Sequence, residues 1–203
     1  MTAPRKDRKP WPMKWIVLSI VIFIPVYTYL TLHFRRKDPA FQPYQDMRDR
    51  ADVIRLLKAG YQRVTVDASR PAESAAEAGD PTSRAPGGLP PDLKGTLIES
   101  PLLPLSIGSV SAATTAASAI DYQIGLTYTL ADNKRQLSGA HLYERESDIV
   151  IVADFEMLGG GLLARTREGT ALITVPPGCI RPGKYRVTLV GERESRAWSL
   201  LVR

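Results

Sequence analysis

The chain has 203 residues, a formal net charge of +6, one cysteine and two histidines. That inventory is too small for an intrachain disulfide or for a structural zinc centre, which takes about four Cys or His ligands. The charge is also unevenly placed: residues 1–34 and 35–66 each carry a net +4, residues 67–95 carry −2, and residues 96–203 carry eleven charges of each sign. The excess therefore flanks one apolar run instead of forming the basic stripe that phosphate recognition needs, and no nucleic-acid partner is expected.

Residues 1–14 read as a short basic tail carrying Arg5, Lys6, Arg8, Lys9 and Lys14. Residues 15–34, from Trp15 to Phe34, contain no Asp, Glu, Lys or Arg and are fenced by Lys14 and by Arg35-Arg36-Lys37. About twenty apolar residues at a rise of about 1.5 Å match a hydrocarbon core of about 30 Å, so the run reads as one transmembrane helix and the lipid bilayer as a partner. A cleaved signal peptide fits less well, because its apolar core is shorter and small residues follow it. A soluble core helix would show a polar face, yet Trp15 to Val26 is apolar apart from Ser19.

Basic residues flank both ends, so counting them leans only slightly. Drawing a short tail with five basic groups outward against the membrane potential costs about 2.3 kcal/mol per charge per 100 mV. A cytoplasmic N-terminus with the C-terminal domain outside is the favoured orientation. Pro25, in the middle of the span, removes a backbone donor and predicts a kink. Beyond it, Tyr27, Thr28, Tyr29, Thr31 and His33 suit the membrane interface or a face packed on other membrane helices. Pro25, Tyr27, Thr28 and Thr31 are the contact candidates of the span.

Residues 35–66 predict a juxtamembrane amphipathic helix followed by a strand. Pro43 can open the helix and Gly60 can end it. Met47, Ala51, Ile54 and Leu57 recur on one side, with Asp46–Arg50, Arg48–Asp52 and Asp52–Arg55 as opposite-charge pairs elsewhere. The helix packs on its own domain, lies on the membrane surface or docks a partner subunit. Met47, Ile54 and Leu57 are the contact candidates, and the mixed charges argue against pure lipid binding. Tyr61 to Val66 alternates like a strand. Residues 67–95 hold five Pro and four Gly among Ala, Ser and Glu, so a flexible linker is expected there.

Residues 96–203 suffice for one small core, and short strands punctuated by turns predict an immunoglobulin-like antiparallel β-sandwich. Asp121 to Leu130 places Tyr122, Ile124, Leu126, Tyr128 and Leu130 on one face. Further strands are expected at about 141–144, 148–155, 162–167, 170–175, 184–190 and 196–202, with 112–119 a short helix or loop. In the last hairpin, Tyr185, Val187 and Leu189 precede a turn at 191–195, and Trp198, Leu200 and Val202 return. Tyr185 resembles the corner tyrosine of immunoglobulin-like sandwiches, whose hydroxyl bonds upstream backbone. Tyr185 and Trp198 are thus structural candidates, with a plain aromatic hairpin as the alternative.

No catalytic, cofactor-binding or metal site is expected. Cys179 has no disulfide partner and reads as a buried thiol, with a redox role or copper ligation beside Met157 the minor alternative. His141 lies in a strand-like run with no nucleophile placed near it. Glu144, Glu146, Asp148, Asp154 and Glu156 read as solvated faces balanced by Arg145 and Arg167. Gly159-Gly160-Gly161 lacks the Lys and Ser or Thr of a phosphate loop. No small-molecule substrate is evident.

A short basic tail, a Pro-containing span, a Gly-x-Tyr-x-Val-x-Leu strand and a Trp-x-Leu-x-Val strand together resemble the FixH family, over residues 10–34 and 183–202. The resemblance implies a single-pass, non-enzymatic accessory protein of a bacterial plasma (inner) membrane, its C-terminal domain periplasmic, for maturation or stability of a cbb3-type cytochrome oxidase, with other integral membrane subunits as partners. The rival expectation is a membrane-tethered binding module that recognises an envelope protein or polymer through its loops. An enzyme working through His141 or Cys179 is the third.

Overall fold

The computed structural model of the chain describes residues 12–34, 43–70, 81–160 and 162–203. Contacts divide it into two units, Met1–Asp46 and Met47–Arg203. The tail before residue 12, residues 35–42, residues 71–80 of the expected linker and Gly161 lie outside the described residues.

Helix α1, Met13–Phe34, covers the expected span and begins two residues before it. Its window Met13–Leu30 has a mean hydropathy of 1.8 and is 0% buried within the protein. The helix is thus long and apolar enough to cross a membrane.

Helix α2 is Pro43–Lys58. Gly60, at φ +80, closes it in the left-handed region that a side chain disfavours. The Gly60 N–H donates to the Leu57 carbonyl and the Tyr61 N–H to that of Leu56, which is the paired bonding of a Schellman cap. Leu56 and Tyr61, both buried, supply the apolar contact across this cap.

Among the described residues, ten strands pair into one sheet. They are β1 Gln62–Ser69, β2 Ser83–Pro86, β3 Ser106–Ala112, β4 Thr115–Ala116, β5 Tyr122–Thr129, β6 Arg135–Arg145, β7 Asp148–Met157, β8 Glu168–Val175, β9 Gly183–Leu189 and β10 Glu194–Val202. Eight of them close into a barrel in the order β10-β3-β5-β8-β1-β6-β7-β9, with β9 returning to β10. β2 and β4 pair with β10 on the side opposite β9. Most pairs are antiparallel, but β7–β9, β10–β3 and β10–β4 run parallel.

Alternation along each strand fills the barrel. Val66, Ile124, Leu142, Ile151, Ile173, Val187 and Leu200 belong to one buried cluster, each contributing about 1.5–3 kcal/mol by burial. In β7, residues 149, 151, 153 and 155 face this interior, while Val150 and Val152 join a second cluster with Leu56, Tyr61, Leu93, Tyr143 and Val190. β7 is therefore covered on both sides, which explains its unbroken apolar run. The outer cover comes from α2 and from α3, the short helix Pro91–Thr96, whose Leu93 is fully buried.

Three expectations change. The immunoglobulin-like sandwich is replaced by the closed barrel, because β1 inserts between β6 and β8 and β10 meets β3. The described part of residues 67–95 is built into the fold, with the end of β1, β2 and α3 drawn from it. Residues 162–167 hold no strand, whereas β3 forms where none was expected.

Inside the barrel the Trp198 indole N–H donates to the Tyr122 hydroxyl at 3.1 Å, and that hydroxyl donates to the Ala113 carbonyl at 2.8 Å. Burial pushes the phenols of Tyr122 and Tyr143 up from 10.0 to about 12. Between those values the unfolded chain releases protons that the folded chain keeps, so stability falls as pH rises. The expected loss is about 2–3 kcal/mol per tyrosine at two pH units. Urea midpoints should drop across that window in parallel with tyrosinate absorbance, and a Tyr122→Phe/Tyr143→Phe protein should lose much of the slope. A flat midpoint in the parent protein would refute the assignment.

Candidate functional site

The contact candidates of the span fall in α1. Pro25 lies within it, and the Thr28 hydroxyl donates to the Ile24 carbonyl at 2.7 Å, bonding back along its own helix. The Tyr27 ring stacks on Phe23 one turn earlier, with centroids 5.7 Å apart. The Thr31 side chain lies outside the described residues.

In α2 the apolar stripe points away from the barrel. Met47, Ile54 and Leu57 are 66%, 55% and 58% exposed. The helix does pack on its own domain, but through the opposite side, where Leu56 is buried and Asp52 is 7% exposed. The Asp52 carboxylate accepts the Ile98 N–H at 2.8 Å, Arg48 pairs with Glu99, and Asp49 stands 3.8 Å from the Arg63 guanidinium. Asp52→Ala is expected to cost about 1.5–3 kcal/mol, because it orphans an N–H bonded to a charged acceptor. Thermal unfolding would measure this, and an unchanged midpoint would deny Asp52 its docking role.

Tyr185 and Trp198 both face the barrel core. The Tyr185 hydroxyl reaches the Glu144 carboxylate at 3.4 Å, so it does not make the upstream backbone bond of a corner tyrosine. Cys179 is half-buried against the core, in the connection before β9. Parallel β7–β9 pairing starts at Asp148↔Arg186, which puts Cys179 beyond the start of β7 and Met157 at its far end. The two cannot share a metal ion.

His141 sits on the outer face of β6, its Nδ1 3.4 Å from the Thr65 hydroxyl. Burial, reinforced by the Arg63 guanidinium, holds the imidazole below its usual 6.5, while burial raises the nearby Asp154 carboxyl. Of the other acids, Glu144 accepts from the Tyr185 hydroxyl and Glu156 from the Gln136 amide, while Arg145 turns to Asp92 at 3.0 Å. Among the described residues, no group of three His, Cys, Asp or Glu is placed to hold a metal ion.

Two features had no clear sequence signal. Arg196 donates to the carbonyls of Ile107 at 3.4 Å and Gly108 at 2.6 Å, tying β10 to β3 where only Glu194↔Ser106 is paired. Leu162 and Leu163, expected in a strand, stand 65% and 59% exposed in the loop after β7. An open hollow of about 770 Å³ along β9 and β10 is bordered by Asp148, Lys184 and Arg186, charges of both signs that select no single ligand.

Compared with protein-family models, with curated proteins and with solved structures, the chain matches none of them.

Proposed function

We propose that this is a non-catalytic, single-pass protein of the bacterial inner membrane, with a cytoplasmic N-terminus and a periplasmic barrel, that serves as an accessory or assembly subunit of a larger membrane complex. The carrying observation is that the barrel interior is filled by its own side chains while α1 is an apolar helix long enough to cross a membrane. A barrel of eight strands packed in this way leaves no internal ligand chamber. Recognition then falls to outer surfaces, above all to the span. The basic tail supports the orientation, and the FixH likeness of residues 10–34 and 183–202 makes a cbb3-type respiratory oxidase the first complex to test.

The test is purification from the native membrane in mild detergent, followed by mass spectrometry. A stoichiometric integral membrane companion is expected, and a lone monomer would overturn the reading. A tethered envelope-binding module is the second reading, favoured by exposed Leu162 and Leu163. Full envelope binding by the soluble 43–203 portion would support it.

A further inference from the structure

The outward face of α2 also sorts its charges. Residues 47, 50, 54 and 57 follow the spacing that places side chains on one side of a helix. Met47, Ile54 and Leu57 are exposed there together with Arg50, while Arg55 and Lys58 are exposed in its last turn. Of the acids whose side chains are described in this helix, Asp52 is buried on the Ile98 N–H, and Asp49 stands on another side, 3.8 Å from the Arg63 guanidinium. The described side chains of the outward face are thus apolar with a basic rim, the pattern of helices that lie in a membrane interface.

We infer that this face of α2 binds the headgroup layer of an anionic bilayer. Two further observations select that occupant. Nine peptide units join Phe34 to Pro43, so α2 begins no farther than about 30 Å from the end of the apolar helix even at full stretch. The bilayer is thus present at high effective concentration. Arg35, Arg36 and Lys37 in the same connection extend the positive charge that anionic headgroups attract. The inference rests on the membrane-anchored part of the proposed function and not on the oxidase complex, so purified protein and lipid suffice to test it.

The test uses the full chain in nanodiscs, with a fluorescent label at Ile54→Cys in a Cys179→Ala background. In discs of phosphatidylcholine with phosphatidylglycerol, the label should shift to the blue and resist an aqueous quencher. In phosphatidylcholine alone or at high salt, protection should fall. Arg50→Glu/Arg55→Glu/Lys58→Glu should lower the ratio of protected to exposed label about a hundredfold, since each cation contributes roughly a factor of five at such a surface. A Met47→Ser/Leu57→Ser protein with an unchanged thermal midpoint should lose protection as well. A label that stays quenched in both lipids, or is protected equally in both, overturns the inference. Protection that follows protein-to-disc ratio instead of anionic lipid assigns the face to a second copy and also overturns it.

Discussion

A fragment beginning at Thr96 is expected not to fold, although the composition of the chain points to a domain boundary there. The fragment lacks β1, which pairs with β6 from Gln62 to Val66 and with β8 from Asp67 to Ser69. Its loss opens the barrel and leaves two facing strand edges without backbone partners. Val66 leaves the inner core, and Leu56, Tyr61 and Leu93 leave the outer one. At about 1.5–3 kcal/mol for each of these four buried side chains, the loss is about 6–12 kcal/mol, comparable to the 5–15 kcal/mol of a typical domain. The 43–203 portion should unfold in urea with one cooperative transition, and the 96–203 fragment should show none. Cooperative unfolding of the shorter fragment would return the boundary to Thr96 and make β1 dispensable.

Exchanging residues 15–34 for a plain leucine helix of equal length should leave insertion and barrel stability intact while removing the membrane companion. Association of helices in lipid rests on close packing and on hydroxyl or aromatic contacts, because leucine is no more apolar than the lipid tails. The exchange removes Pro25, Tyr27, Thr28 and Thr31 and keeps Lys14 and Arg35-Arg36-Lys37. Recovery of the companion should fall by roughly tenfold or more, the equivalent of about 1.4 kcal/mol of lost packing. Undiminished recovery would reduce the span to an anchor. Failure here with a companion still present would direct attention to the barrel and α2, so the two parts of the assembly reading can fail separately.

The two expected effects rest on opposite kinds of information. Local chemistry made α1, α2 and most strands legible: an uncharged run of the right length, Pro43 and Gly60 as helix limits, and alternation along Tyr122 to Thr129 with all inward positions buried. Local alternation is silent on neighbours, and this is why a sandwich was expected. A period of two states which side chains share a face but not which strand lies beside it. Parallel β7–β9 pairing and the insertion of β1 between β6 and β8 depend on contacts far apart in the chain.

The Pro- and Gly-rich stretch misled for a related reason. Its few large apolar residues, Leu89 and Leu93 among them, pack against the outside of β6 and β7, so a segment poor in core residues is ordered by a core that others supply.

The sequence by itself determined an apolar span, the basic charge beside it, an amphipathic helix and a β-rich C-terminal part, because each depends on spacing within a few residues. Only the tertiary structure decided that the strands close into a barrel and that α2 buries Asp52 against it. The barrel depends on strand pairings far apart in the chain, and the seat of α2 on Ile98 and Glu99, which meet Asp52 and Arg48 only when the chain has folded back on itself.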